Sequence, residues 1–418
     1  MSRPFAKRIL FLCFSTYLTV YILRVNFSSA MPHMSSQLGM SGAQLGAMGA
    51  VFFITYAAGQ LINGFISDAV SPFRFIIAGL TGSVCMNLAI AVCPDPRLII
   101  FFWAANGYFQ SIFWACLNRI LSLYFDDSKH SMVATVMSSS MVGGFIVSWV
   151  FLGRLLNGRI WNSFFLIPAL FGLILLIVWV ITDRRLDKPS IPRQELTIGT
   201  FRKNVSFLFC HKAYMYCLIC FCLGFVKESI SVWSPTIIGQ SMGVELSSSA
   251  LLLMIIPLAN LCGMFVSKIL IDRFKGNELR TLILMFISMA VGSGLLFIAR
   301  GHMVAVTIIL LAEISAMSYG CNSILLSFIP LAFAKYNLVS TLVGILDFSS
   351  YIGASISSLV MGSVLTDGNW IHASLFWLAA AICAITLCFI AKSAVKGGDI
   401  DETRLRHQKQ KVSVSFRN

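Results

Sequence analysis

The chain has 418 residues, of which 57% are hydrophobic and only 11% carry a formal charge, and its mean hydropathy is +0.84. Soluble proteins carry about 25% charged residues, so this composition excludes a soluble globular domain; repeated apolar runs of about 20 residues predict a multi-spanning helical membrane protein. The net charge of +14 does not indicate a nucleic-acid partner, because the basic residues lie in short loops between apolar segments.

The apolar runs predict twelve transmembrane helices in two groups of six. The groups are separated by 182–209, a charged segment with two prolines that is interpreted as a cytoplasmic linker. It divides an N-terminal bundle (1–181) from a C-terminal bundle (210–392), and a cytoplasmic tail (393–418) follows. The helices are predicted at 9–30, 43–66, 73–93, 98–122, 131–153, 161–181, 210–232, 247–270, 281–299, 303–330, 337–364 and 371–391.

The first predicted helix carries a charge at membrane depth. Arg24 is the only residue with a formal charge between Arg8 and Asp68, and insertion of such a charge costs at least about 2.5–3.5 kcal/mol. Tyr17, Tyr21 and Arg24 are spaced i, i+4, i+7, so they share one helix face. That face indicates an anion-binding site, and the alternative is an arginine that snorkels to the interface or pairs with a buried acid.

The two groups of helices repeat each other in sequence. Three pairs of residues recur at a nearly constant offset: Asp68 with Asp272 (204 positions), Arg24 with Lys227 (203) and Gly144 with Gly353 (209). This repeat predicts a duplicated unit. The fold class is therefore an all-α membrane protein with two pseudo-symmetric six-helix bundles, and transporters of this kind bind substrate near the midplane, where the halves meet.

Three acids fall within predicted helices: Glu228, Glu313 and Asp347. Acids inside a membrane are candidates for proton coupling, and the alternative is a structural ion pair. Asp347 lies one turn before Tyr351 and can share its face. Sequence neighbours on a helix point about 100° apart, so we expect Lys227 and Glu228 not to face the same cavity. This argument favours Lys227 as a substrate-binding cation rather than one neutralised by Glu228.

The distribution of basic residues predicts the orientation in the membrane. With both termini in the cytoplasm, the cytoplasmic segments hold 23 Lys and Arg residues and the opposite loops hold four. Such a bias predicts that both termini are cytoplasmic. We expect the protein in the cell (plasma) membrane.

No sequence motif supports an enzyme. The twelve cysteines lie mostly within apolar segments, and Cys217-x-x-Cys220 falls inside a predicted helix, so neither a disulfide framework nor a metal site is expected. The chain lacks a Walker-type phosphate loop, an H-E-x-x-H motif and a nucleophile elbow. We therefore expect no catalytic residue, no metal and no cofactor.

Several segments together resemble one transporter family. They are YILRVNFSSAMP in helix 1, ITYAAGQLINGFISD in helix 2, QSIFWACLNR in helix 4, VGGFI in helix 5, WSPTII after helix 7 and YIGAS in helix 11. In this order they resemble the organophosphate:phosphate antiporters of the major facilitator superfamily. The resemblance implies the major facilitator fold and rocker-switch alternating access. It also implies exchange of a sugar phosphate or glycerol phosphate for inorganic phosphate.

The resemblance also implies roles for single positions. Arg24 matches the helix 1 arginine that binds phosphate. Asp68, Asp272 and Arg273 match the inter-helix loop signatures that gate the superfamily's transporters. The tyrosines expected to line the substrate cavity are Tyr17, Tyr21, Tyr56, Tyr319 and Tyr351.

The chain departs from the family pattern at the substrate site. Lys227 stands where glycerol-phosphate and hexose-phosphate members have a second phosphate-binding arginine, and Gly224 replaces a cavity tyrosine one turn earlier. In the glycerol-phosphate transporter, a helix 2 lysine corresponds to Gln60, a helix 5 histidine to Ser140, and a helix 1 lysine to Val25. These replacements remove charge and one ring, which favours an anion larger or less charged than glycerol phosphate.

Two other functions remain open at this point. One is a proton-coupled organic-anion symporter in which Asp347 or Glu228 carries the proton. The other is a transporter-like sensor of sugar phosphate. The expected partners of the transporter are a phosphorylated organic anion, inorganic phosphate and the lipid bilayer, with no nucleic acid, and we expect a monomer.

Overall fold

The structure, a computed structural model, describes residues 3–125, 127–152, 155, 160–185, 213–242, 253–299, 303–332, 339–366 and 370–392. Within these ranges the regular structure is helical throughout. Six helices precede residue 186: α1 Arg3–Leu38, α2 Gly42–Ala69, α3 Pro72–Val92, α4 Pro96–Gln110 with Phe113–Tyr124, α5 Asp127–Ile146 continued by π-helical Val147–Leu152, and α6 Ser163–Arg185. Six more follow residue 212: α7 Ala213–Met242, α8 Ile255–Arg273, α9 Glu278–Ala299, α10 Val304–Ser323 continued by Ile324–Phe328 and Ile329–Ala332, α11 Val339–Thr366, and α12 Trp370–Lys392.

Eleven of these described helices are long and apolar enough to cross a membrane. The apolar stretch of α5, Ser139–Leu152, is shorter. Exposed aliphatic and aromatic side chains cover the outside, as on α6, where Phe171 and Ile174 are 50% and 62% exposed. Apolar side chains on the outside and helices of this length suit a lipid environment, and the prediction of a multi-pass all-α membrane protein is confirmed.

Two predicted helix ends are wrong. α1 continues eight residues beyond the predicted end and passes through Pro32, and α7 extends through Pro235 to Met242. The segment WSPTII therefore lies inside α7 rather than after it. Membrane helices tolerate proline because neighbouring helices satisfy the backbone carbonyl that proline leaves unpaired.

The helical contacts repeat between the two halves. Gly144 in α5 lies so close to α1 that a Cβ atom there would contact the backbone oxygen of Leu18. Gly353 in α11 lies in the same way against the backbone oxygen of Phe221 in α7. Leu18 and Phe221 are 203 positions apart, the offset that also separates Arg24 from Lys227. The duplication seen in the sequence is thus present in the packing.

The halves meet along α2 and α11. A Cβ atom on Gly46 would contact the backbone of Ser358 and Gly362, and the Ser355 hydroxyl donates to the carbonyl oxygen of Ala50 at 3.1 Å. Small residues permit this close approach. These contacts lie at the end of the protein where α1 joins α2, here called the loop end. The site described below lies next to them, toward the terminal end, where α1 begins and α12 ends.

Several predicted features fall outside the described residues. The described part of α6 ends at Arg185, so residues 186–209 of the predicted linker are not described. The predicted tail 393–418 and the side chain of Asp68 also lie outside the described residues. Asp272 and Arg273 are exposed at the end of α8, and neither forms an ion pair with another described residue. The bundle boundaries and the gating roles stay predictions.

Candidate functional site

Arg24 projects from α1 into the contact between the halves. Its guanidinium lies 3.5 Å from the Glu228 carboxylate of α7, and Nη1 and Nη2 both donate to the Tyr351 hydroxyl of α11 at 3.3 Å. The Arg24 side chain is only 10% exposed. These polar partners belong to the second half of the chain. Arg24 does not snorkel; it pairs with a buried acid, which was one of the alternatives left open by the sequence.

Aromatic rings surround the Arg24 guanidinium. Its central carbon lies between 4.9 and 5.7 Å from the centroids of five rings. They belong to Tyr21 in α1, Phe52, Phe53 and Tyr56 in α2, and Tyr351 in α11. Ring faces attract a cation, and the effect increases when water is excluded. The rings fix the guanidinium in place and make this part of the site apolar apart from the phenol hydroxyls.

Lys227 brings the second cation to the same place. Its Nζ lies 3.1 Å from Glu228 Oε1 and donates to Asn322 Oδ1 in α10 at 3.0 Å. The centroids of Tyr319 and Tyr351 lie 5.7 and 5.9 Å from Nζ. Lys227 therefore lies beside two of the predicted cavity tyrosines.

The expectation that Lys227 and Glu228 face different sides is wrong. One oxygen of the Glu228 carboxylate contacts Lys227 and the other contacts Arg24. The angle of about 100° between sequence neighbours describes only the directions of their Cα–Cβ bonds. The Lys227 and Glu228 side chains are long enough to bend toward each other beyond Cβ. Both residues are buried, with 6% of Lys227 and 7% of Glu228 exposed.

A small cavity adjoins this group. It holds about 20 Å³, which is room for one water molecule. Its lining combines Arg24, Glu228, Tyr21 and Tyr319 with Ser28, Ser231 and apolar side chains. A phosphate group does not fit without movement of the surrounding residues.

The predicted tyrosines divide into two groups. Tyr21, Tyr56, Tyr319 and Tyr351 each lie against Arg24 or Lys227. Tyr17 lies one turn further from the loop end and packs against Tyr21 and Trp114, with ring centroids 5.2 and 5.0 Å away. The Tyr319 hydroxyl shares a hydrogen bond of 3.3 Å with Ser231.

The other two membrane acids have different surroundings. Asp347 is partly buried in α11 one turn from Tyr351 and makes no hydrogen bond or ion pair with any described residue. Glu313 lies between α9 and α10, where Ser288 donates to its Oε1 at 2.6 Å. Only Asp347 is near the paired cations.

Several contacting residues were not predicted. Asn322, Phe52, Phe53 and Ser231 complete the surroundings of the two cations. Asn322 follows Tyr319 by three positions, so its place on the same helix face was a usable signal.

The departure at Gly224 does not enlarge the site. A Cβ atom on Gly224 would collide with the backbone oxygen of Ser350, because α7 and α11 touch here. A tyrosine has no room at this position in the present packing.

Nothing in the described part of the chain suggests a metal centre, since no three His, Cys, Asp or Glu side chains there lie close enough together to hold an ion. The site consists of two cations, one carboxylate between them, and hydroxyl and ring groups. Guanidinium and ammonium donors of this kind match the oxygens of carboxylate and phosphate groups.

Comparison with known proteins decides the family. The sequence pattern of the Major Facilitator Superfamily matches residues 10–358. The chain belongs to the Major Facilitator Superfamily. The crystal structure of the nucleoside transporter NupG superposes with a TM-score of 0.69, at 13% identity over 93% of this chain and 99% of that one. The chain therefore has the major facilitator fold, and it is a transporter-type protein rather than an enzyme.

Some of its relatives within the superfamily are organophosphate transporters. The glycerol-3-phosphate transporter of Bacillus subtilis (strain 168) is 26% identical over 411 residues, which cover 89% of each chain. The hexose-6-phosphate:phosphate antiporter of Escherichia coli (strain K12) is 33% identical over 119 residues, 27% of this chain and 26% of the relative. The resemblance to organophosphate:phosphate antiporters is thereby confirmed.

Proposed function

We propose that this major facilitator is a secondary active transporter that exchanges a phosphorylated organic anion for inorganic phosphate. The observation that carries the proposal is the meeting of Arg24 from the first half and Lys227 from the second. Their charged groups lie on the two oxygens of a single carboxylate. A site that accepts one small anion between two cations suits a phosphoryl group.

The chemistry of the side chains supports a phosphoryl ligand. A planar guanidinium matches two phosphate oxygens, and an ammonium supplies three further donors. At an effective dielectric near 20 and a separation of about 4 Å, each cation–anion contact contributes roughly 4 kcal/mol before desolvation is subtracted. The hydroxyls of Tyr319 and Tyr351 replace water around the remaining oxygens. The relatives from Bacillus subtilis and Escherichia coli, a glycerol-3-phosphate transporter and a hexose-6-phosphate:phosphate antiporter, support a ligand of this class.

Transport would follow from the position of the site between the halves. The α2–α11 contacts separate it from the loop end. Alternating access would require these contacts to open and those at the terminal end to close. We place the protein in the plasma membrane as a monomer, with both termini in the cytoplasm.

The test is uptake by proteoliposomes loaded with inorganic phosphate. Purified protein should take up labelled phosphate and at least one compound from a panel of glycerol phosphate, phosphoglycerate and hexose phosphates. The unphosphorylated sugars serve as controls and should not compete. Uptake that needs a pH gradient but no internal phosphate would support the proton-coupled symporter instead. Tight binding without any flux would support the sensor.

A further inference from the structure

Glu228 occupies the place that a substrate phosphate needs. Its carboxylate presents one oxygen to Arg24 at 3.5 Å and the other to Lys227 at 3.1 Å. The three side chains are each at most 10% exposed. A bound phosphoryl group would use two of its oxygens in the same way, so the glutamate and the substrate compete for the same donors.

The neighbouring space does not allow both anions at once. The adjoining cavity holds about 20 Å³, and Glu228 is part of its wall. Arg24 is also fixed by Tyr351 and Lys227 by Asn322, so the cations do not turn away to a second position without losing these bonds. Binding of phosphate therefore requires the Glu228 carboxylate to leave at least one cation.

The contact between Glu228 and Arg24 joins the two halves. Glu228 is on α7, whereas Arg24 is on α1. Beside it, the Ser28 hydroxyl of α1 donates to the carbonyl oxygen of Val232 in α7 at 2.6 Å, so the two helices touch at this level. Without a carboxylate here, two buried cations would face each other across the interface in the empty protein, and their repulsion would oppose closure.

We infer that Glu228 is a tethered counter-anion that replaces the substrate between the two halves when the carrier is empty. The inference rests on the proposed function. Its consequence is that the empty carrier closes around its own carboxylate and reorients, so the protein performs net transport as well as exchange. In a site whose two cations share no carboxylate, only a bound anion would bridge them and permit closure.

The experiment uses Glu228→Gln in proteoliposomes loaded with labelled inorganic phosphate. Potassium and valinomycin hold the membrane potential constant, since net movement of phosphate carries charge. Efflux is measured into buffer with external phosphate (exchange) and into buffer with no transportable anion (net efflux). For the wild type, net efflux should be within a few-fold of exchange. For Glu228→Gln, exchange should persist while the ratio of net efflux to exchange falls at least tenfold.

Binding gives a second readout that a merely structural ion pair would not produce. Glu228→Gln removes the competing anion, so inorganic phosphate should bind at least tenfold more tightly in isothermal titration. Glu313→Gln is the matched control: it neutralises a membrane acid of the same half that lies between α9 and α10, and should alter neither readout. If Glu228→Gln does not fold, Glu228→Asp keeps the charge but is one methylene shorter. It should reach only one cation and move both readouts in the same direction.

Three results would overturn the inference: wild-type protein that exchanges phosphate but shows no net efflux, a variant with an unchanged ratio, or phosphate binding that is unchanged or weaker. Failure of the proposed function looks different, because then the wild type would move no phosphate even with phosphate on both sides.

Discussion

Arg24 is held by more contacts than any other charged side chain in the described part of the site. Arg24→Ala removes the guanidinium fork and leaves five rings without their cation. Hydrogen bonds to charged groups contribute about 1.5–3 kcal/mol each, and 1.4 kcal/mol corresponds to tenfold in affinity. Binding of inorganic phosphate, measured by isothermal titration in detergent, should therefore weaken at least tenfold.

Two further variants separate charge from geometry at this position. Arg24→Lys keeps the charge but loses the planar fork, so it should also bind phosphate poorly. Arg74→Ala is the control, because the Arg74 side chain is 79% exposed on α3 and its Nε lies 3.9 Å from the Asp183 carboxylate of α6. Its phosphate affinity should equal that of the wild type. Binding by Arg24→Lys at the wild-type level would show that the fork has no role.

Asp347 is the acid near the site that has no hydrogen-bond or ion-pair partner among the described residues. If it carries a coupling proton, Asp347→Asn should abolish uptake driven by a pH gradient and leave phosphate exchange largely intact. Both fluxes are measured in the same proteoliposome preparation. If neither flux changes, Asp347 does not couple transport to protons and the symporter alternative fails for this residue.

At the scale of the helix, the contact between α7 and α11 depends on glycine. Gly353→Ala would place a methyl group against the backbone oxygen of Phe221, which has no flexible end to move. Overpacking of this kind costs about 1–3 kcal/mol. The variant should lose several degrees of thermal stability in detergent, followed by tryptophan fluorescence.

Gly344→Ala provides the matched control in the same helix. No described atom lies within 4 Å of a Cβ built on Gly344, and alanine favours helix more than glycine does. Its melting temperature should equal or exceed that of the wild type. Equal losses in the two variants would contradict the packing explanation for Gly353.

At the scale of the helix, hydropathy located the membrane spans well, because a chain that crosses lipid must pair its own backbone groups and a helix does so within one segment. Each of the twelve predicted helices overlaps a helix of the structure, and most predicted ends that fall on described residues are within about five residues of the observed ones. The clearest misses are the ends of α1 and α7, which pass through Pro32 and Pro235. A single sequence does not show which neighbouring helix satisfies the backbone around a proline.

The sequence identified the cations and tyrosines of the candidate site, but not which of these side chains contact each other. Arg24 and Lys227 were identified because a charge in an apolar helix is costly, and the repeat related them to each other. The contact of Glu228 with Arg24 could not be located from the sequence, because it depends on how α1 and α7 approach each other. Helical angles alone even argued against its contact with Lys227.

At the scale of the whole molecule, the orientation can be tested by reporter fusions. A reporter active only outside the cytoplasm should be silent when fused after Arg193 or at Asn418. It should be active in the loops at 94–97 and 366–370, because the basic residues favour the opposite side. Activity after Arg193 would overturn both the orientation and the arrangement of six helices on each side of the linker.

The central claim is that one anion is held between a cation from each half, and phosphate binding by Lys227→Ala tests it most directly. This variant removes the cation of the second half and leaves Glu228 free to neutralise Arg24. Isothermal titration with inorganic phosphate should show at least a tenfold loss of affinity, as large as for Arg24→Ala, whereas Lys227→Arg should retain binding. If Lys227→Ala binds phosphate as tightly as the wild type, the two-cation site is wrong, and Arg24 alone anchors the anion.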